Sequence, residues 1–219
     1  MFVFDLDGTL IDSIADLVVA VNRLVAERGG RPLHHDEVAR MVGEGAILLV
    51  SRAFDASGIA GDPAQALPRF LEIYDGLLPG ATRPYPGVPE MLQSLAHAAP
   101  MAVLTNKPTD AATKILSMLG LDHFFTRIVG GDGPFGRKPG PDGLLRLAAD
   151  AGADPGATWM VGDSTVDLRT AHAAATRVCI VRYGFGFAAF DRSQLCGGEA
   201  FADHPADVTA LLLGQRRGR

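Results

Sequence analysis

The 219-residue sequence predicts an α/β fold, a Rossmann-like parallel-sheet core interrupted near its start by an all-helical insertion. Three observations predict it. Short apolar runs suited to buried strands recur at 1–4, 101–104, 127–129, 159–161 and 178–181. Helical spacing of apolar residues separates the later runs, near 87–98, 109–119, 141–151 and 166–175. Residues 14–80 break this alternation, with helical spacing over 14–28, 35–41, 46–56 and 64–78 and no convincing strand.

The first run, Met1-Phe2-Val3-Phe4, is β-prone and ends at Asp5. Ser13 and Asp16 have the spacing of a capping-box-like start for the first inserted helix, and Gly29-Gly30 suits its end. Pro79-Gly80 and Pro84-Tyr85-Pro86-Gly87 punctuate the return. The expected division is a discontinuous core of 1–13 and 81–219 with a helical cap of 14–80. Beyond the insertion, strand–helix alternation implies right-handed crossovers and helices on both faces of a parallel sheet. Ligands of such sheets bind beyond the carboxyl ends of the strands. That directs attention to Asp5, Thr105, the segment after Val129, and Asp163.

Composition narrows the function classes. At 47% hydrophobic and 21% charged, the chain matches an ordinary globular protein rather than a disordered one. A net charge of −5 argues weakly against nucleic acid as a partner. The basic run Arg216, Arg217 and Arg219 reads as a solvated end. No apolar run reaches the ~18 residues that a membrane span needs. The N-terminus lacks the basic region of a signal peptide. Cys179 and Cys196 cannot build a disulfide framework, and Cys179, in an apolar run, reads as a buried free thiol. A reducing cytoplasm is the expected compartment.

Four segments could carry chemistry. Asp5-Leu6-Asp7-Gly8-Thr9 places two carboxylates on one side of an extended chain, a costly pairing without a cation or proton between them. Alone, it fits an acidic turn between strand and helix equally well. Gly162-Asp163-Ser164-Thr165-Val166-Asp167 follows a second buried strand. There Asp163 could be only a helix cap and Asp167 only a favourable charge at the helix start. A hard cation such as Mg²⁺ accounts for paired acids at both strand ends. Thr105-Asn106-Lys107-Pro108 offers a hydroxyl and backbone amides for an anion, or a plain helix cap with a solvated lysine. Lys138, beside Pro139 in Gly136–Pro141, could neutralise a carboxylate–phosphate cluster or be an ordinary surface charge.

Taken in order and spacing, these four segments resemble the haloacid dehalogenase superfamily of phosphohydrolases across essentially the whole chain. The resemblance implies a core of that family's type with a helical cap. It implies that Asp5 is the nucleophile, forming an aspartyl-phosphate, and that Asp7 is the general acid and then the base. It further implies that Thr105 and the Asn106 amide hold the phosphoryl oxygens and that Lys138 screens Asp5 and phosphate. Asp163, the Asp5 carboxylate and the Asp7 main-chain carbonyl would bind Mg²⁺, and Asp167 would orient Lys138 or metal-bound water. Asp7 favours phosphate transfer over dehalogenation, because an alkoxide leaving group needs a proton and a halide does not.

Further segments are similar to bacterial phosphoglycolate phosphatases. They are Met41-Val42-Gly43-Glu44-Gly45-Ala46, Tyr85-Pro86-Gly87-Val88, Thr105-Asn106-Lys107-Pro108, Gly130-Gly131-Asp132 before Lys138-Pro139-Gly140-Pro141-Asp142, and Arg182-Tyr183-Gly184-Phe185-Gly186. Gly43 and Gly45 are expected in a cap loop near substrate, with a plain helix–helix turn as the equal alternative. Glu44 would repel a substrate carboxylate unless it points away or pairs with Arg40 or Arg52. Four residues before Asp5 is a short lead for this resemblance, so the first strand is short or the chain begins upstream of Met1. His34-His35 reads as a solvated helix start, and Phe185, Phe187 and Phe190 as loop packing. The expected partner is a small phosphorylated metabolite, 2-phosphoglycolate first. A sugar-phosphate phosphatase, a phosphosugar mutase and a non-catalytic binding protein are the alternatives, and oligomeric state is open.

Overall fold

The computed structural model describes residues 1–214. The basic tail, read above as a solvated end, lies outside them. The chain opens with β1 (Phe2–Phe4) and turns into the two-residue β2 (Ile11–Asp12). Four helices follow: α1 (Ile14–Glu27), α2 (His35–Ala39), α3 (Ala46–Ser57) and α4 (Pro63–Asp75). β3 (Arg83–Pro84) pairs antiparallel with β2, so the chain enters and leaves the helical segment through one short ladder.

After β3 come α5 (Val88–Leu95), β4 (Met101–Leu104), α6 (Thr109–Met118), β5 (Arg127–Val129) and α7 (Asp142–Asp150). The chain continues with β6 (Trp159–Gly162), α8 (Thr165–Ala173), β7 (Arg177–Val181), β8 (Ala200–Ala202) and α9 (Pro205–Leu212). Among the described residues, six strands form one parallel sheet in the order β5-β4-β1-β6-β7-β8. The predicted strands all occur. β8, α9 and the β2–β3 ladder are additional.

β1 lies between β4 and β6, with Phe4 opposite both Val103 and Val161. Strand side chains alternate between faces. Phe2, Phe4, Val103 and Val161 face one apolar cluster, and Val3, Ala102, Leu104 and Met160 the other. Leu92, Ile115 and Val208 cover the first face, and Leu144, Leu147 and Leu168 the second. Both faces are buried, which is why these strands read as unbroken apolar runs. The apolar faces of α1, α3 and α4 continue the first cluster into the inserted helices through Leu17, Val50, Phe54 and Phe70.

The start of α1 differs from the expected capping box. Ser13 makes no capping bond, because its hydroxyl donates to Asp7 Oδ1 at 2.5 Å. Asp16 is buried and accepts from the Ala81 and Thr82 N–H groups and the Thr82 hydroxyl, at 2.9, 2.8 and 2.6 Å. It fastens the returning chain to the first inserted helix. At the other end, the Gly30 N–H reaches back to the Val25 carbonyl at 3.0 Å, as expected for a glycine-terminated helix. His34 caps α2 with Glu37, in line with a solvated helix start. Phe187 stacks on Phe190, which packs edge-on to Phe201, so these rings do pack a loop. Cys179 is buried and Cys196 exposed, both free thiols. No helix among the described residues is long and apolar enough to cross a membrane.

Candidate active site

The carboxyl ends of β1, β4 and β6 converge, and the segment before α7 joins them. Asp5 follows β1, and its N–H donates to the Val161 carbonyl at 2.8 Å. Lys138 Nζ lies 2.8 Å from Asp5 Oδ1 and 2.6 Å from Asp167 Oδ1. All three residues are buried, so Lys138 is not the surface charge that the sequence also allowed. Burial works against the ammonium, but Asp167 and Asp5 outweigh it and carry its pKa upward.

Asp5 itself is raised to about 6, chiefly by burial. Lys138 opposes that rise and Asp167 adds to it. Asp163 is raised well above the carboxylate range, first by burial and then by Asp167 and Asp5.

Asp163 does not cap α8. Ser164 is the N-cap, and its hydroxyl and N–H both reach Asp167 Oδ2, at 2.6 and 3.1 Å. Asp167 is thus spent on Lys138 and the helix start. Asp163 Oδ2 accepts from the Gly186 N–H at 2.8 Å, while its Oδ1 takes no hydrogen bond among the described residues. A Cβ on Gly8 would sit 2.0 Å from Asp163 Oδ2, and Cβ atoms on Gly184 and Gly186 would come within 2.4 and 2.8 Å of it. Side chains there would collide with the carboxylate, and Gly8 also holds a left-handed φ of 85°.

Carboxylate oxygens of Asp5, Asp163 and Asp167 lie within 4.8 Å of one another. With Lys138 as the single cation beside them among the described residues, this buried hard-oxygen set suits a hard cation such as Mg²⁺. Asp7 does not join it. Its carboxylate turns to Ser13 and to Lys107 Nζ, which lies 3.1 Å from both Asp7 oxygens. The expected convergence of Asp5 and Asp7 on one spot is therefore only partial. Both line one cleft, but different lysines hold them.

Lys107 is the functional candidate that the sequence reading missed. It is buried rather than solvated, and it also donates to Tyr74 Oη at 2.9 Å. Its pKa is lowered by burial but more than restored by Asp7 and Tyr74. Its place in Thr105-Asn106-Lys107-Pro108 is the only signal the sequence carries, because Tyr74 belongs to α4, far away along the chain.

Thr105 and Asn106 line the same cleft. The Thr105 hydroxyl accepts from the Lys107 N–H at 3.3 Å, which leaves its own hydrogen to donate. The Asn106 main-chain N–H makes no hydrogen bond among the described residues. Its side chain is spent otherwise, bonding the Lys138 N–H and carbonyl at 2.9 and 3.0 Å and the Gly43 carbonyl at 2.9 Å. One asparagine thus sets the Lys138 backbone and ties the inserted helices to the core. Gly43 and Gly45, with φ of 117° and 96°, line the cleft from the other side. Glu44 pairs with Arg52, not Arg40, and does not line the cleft.

Tyr183 donates to the Thr9 carbonyl at 3.0 Å and packs 5.0 Å from Tyr85. Asp132 accepts from the Thr109 N–H and hydroxyl at 2.8 and 2.7 Å, anchoring the start of α6. These tyrosine and Gly-Gly-Asp segments therefore support the turns that carry the site.

Residues 2–181 match the family model of the haloacid dehalogenase-like hydrolases. A phosphoglycolate phosphatase from Cereibacter sphaeroides (strain ATCC 17029 / ATH 2.4.9) is 38% identical over 215 residues, spanning 96% of this chain and 98% of its own. One from Rhodospirillum rubrum is 44% identical over 192 residues, spanning 84% and 79%. The crystal structure of a predicted phosphoglycolate phosphatase from Haemophilus somnus 129pt has a TM-score of 0.88 at 32% identity, covering 96% of each chain. By the family match, the identity of these relatives and the shared architecture, the chain belongs to the haloacid dehalogenase-like hydrolases.

Proposed function

We propose that the protein is a Mg²⁺-dependent phosphatase that hydrolyses 2-phosphoglycolate to glycolate and phosphate. The observation that carries this reading is Asp5, a buried carboxylate on Lys138 beside two unspent donors, the Thr105 hydroxyl and the Asn106 N–H. Fixed donors and cations of this kind favour a transferring phosphoryl group, whose charge spreads over its equatorial oxygens. The relatives named phosphoglycolate phosphatase support the choice of substrate.

Asp5 attacks phosphorus, forming an Asp5 oxygen–phosphorus bond as the ester oxygen–phosphorus bond breaks. Asp7, carrying a proton when the ester is bound, gives it to the departing glycolate oxygen and becomes the carboxylate that Lys107 holds. Asp7 then takes a proton from the water that attacks phosphorus, releasing phosphate and restoring Asp5. Lys138 keeps positive charge beside Asp5 throughout, and Asp167 orients it. The Asp5 and Asp163 carboxylates and the Asp7 main-chain carbonyl would hold Mg²⁺, which would supply charge neutralisation of the phosphoryl oxygens. Residues 14–80 act as a cap, with Gly43 and Gly45 over the cleft.

A phosphate-release screen over 2-phosphoglycolate, hexose phosphates, nucleotides and pyrophosphate, with and without Mg²⁺, tests the reading. Fastest release from 2-phosphoglycolate, lost on chelation, is the expected result. Transfer of the phosphoryl group to a sugar hydroxyl, or no release from any ester, would overturn it.

A further inference from the structure

The cap side of the cleft is mostly apolar, formed by Leu17, Val42, Leu49, Phe70 and Leu71. Lys107 is the one cationic side chain lining the cleft among the described residues. Its ammonium holds Asp7 and the Tyr74 hydroxyl, and it lies 4.5 Å from the Tyr74 ring centre. Tyr74 Oη accepts from Lys107, and its own hydrogen has no acceptor among the described residues although the side chain is buried. A buried hydroxyl without an acceptor is costly, so this donor awaits an oxygen.

We propose that Lys107 and Tyr74 form the subsite for a second anionic group of the substrate, a carboxylate borne on the carbon next to the phosphate ester. The inference rests on the phosphatase reading and adds the residues that select the substrate. Lys107 Nζ lies 3.1 Å from the carboxylate of Asp7, the group assigned to the ester oxygen. In a 2-phosphoryloxy acid, one carbon separates that oxygen from the carboxylate carbon. A substrate whose ester oxygen meets Asp7 therefore has its carboxylate within reach of the neighbouring ammonium. Elsewhere on the apolar wall a carboxylate would be buried without a partner. Tyr74 stands on α4 and Lys107 on the core, so a carboxylate bound by both joins the cap to the core.

Two esters differing only in the carboxylate, 2-phosphoglycolate and ethyl phosphate, separate this role from support of Asp7. Lys107→Met should cut kcat/KM for 2-phosphoglycolate roughly 10- to 100-fold more than for ethyl phosphate, the scale of a charged hydrogen bond. Tyr74→Phe keeps the stacking on Phe70 and leaves Asp7 its partners. It should raise KM for 2-phosphoglycolate about 10-fold with kcat little changed, and it remains informative if Lys107→Met fails to fold. Equal losses on both esters, or wild-type rates on ethyl phosphate that match 2-phosphoglycolate, would overturn the subsite while leaving the phosphatase standing. A wild type that hydrolyses neither ester would overturn the phosphatase reading and the subsite with it.

Discussion

Two buried lysines hold the two acids of the cleft, Asp5 and Asp7, from opposite circumstances. Lys138 lies wholly within the core, between the carboxylates of Asp5 and Asp167, with Asp163 close by. Lys107 lies where the sheet meets the inserted helices, with one carboxylate, Asp7, and a phenol from α4. Both are buried and both are held charged by their neighbours. They differ in how many anions each must answer. Around Lys138 the acids outnumber the cation, which calls for a further positive charge. Around Lys107 the counts match, and the Tyr74 hydroxyl still lacks an acceptor among the described residues. On the proposed reading, one cluster holds a cation and a phosphoryl group, and the other meets an anionic end of the substrate.

The sharpest break in this comparison is Lys138→Met. It leaves buried carboxylates without their internal cation, a change that costs roughly 3–5 kcal/mol. Phosphate release should fall by about 10²- to 10³-fold, the scale of losing one preorganised charge contact in an active site. A thermal melt should show the lost stability, and excess Mg²⁺ should recover part of it. A variant as stable and active as wild type would remove Lys138 from the account.

The excess of acid also sets a pH dependence. The pKa of Asp5 is raised to about 6 in the fold, against 3.8 as a free side chain. Between these values the folded protein binds more protons than the unfolded chain, so stability falls as pH rises. In metal-free protein, the contribution is fully present below about pH 4 and lost as pH passes about 6. The melting temperature, followed over that window, should drop, and Mg²⁺ should raise it more at pH 7 than at pH 4. A flat profile together with no response to Mg²⁺ would contradict the excess of negative charge.

The crossing to the inserted helices also holds a buried carboxylate, Asp16, with three donors from residues 81 and 82. Asp16→Ala should lower stability by about 2 kcal/mol, as buried donors lose a charged acceptor. Urea unfolding measures it. An unchanged midpoint would show that the β2–β3 ladder alone holds the crossing. The smallest effect is expected at Glu44, whose pair with Arg52 is only half-buried. Glu44→Gln should change stability by less than about 1 kcal/mol and leave activity on 2-phosphoglycolate unchanged.

Much of this was legible in the residues. The strands read as apolar runs because both sheet faces are covered. The inserted helices read from their spacing because each buries one face. Asp5 and Asp163 stand at strand ends, Asp167 in the first turn of α8 and Lys138 on a stiff segment, where local sequence limits their positions. What escaped depends on distant partners. β8 is a three-residue edge strand, recognisable only from its pairing with Cys179–Val181. Lys107 looks solvated until Tyr74 and Asp7 close on it. Ser13 and Asp16 have the spacing of a cap, yet Asp7 and Thr82, brought in by the fold, offer them better partners.

Asp5 carries the central claim. Phosphate release from 2-phosphoglycolate by wild type and Asp5→Asn, both saturated with Mg²⁺ and both checked for folding by circular dichroism, tests it most directly. Turnover should be abolished while the fold and its melting transition are kept. Ordinary Mg²⁺-dependent turnover by a folded Asp5→Asn variant would contradict it.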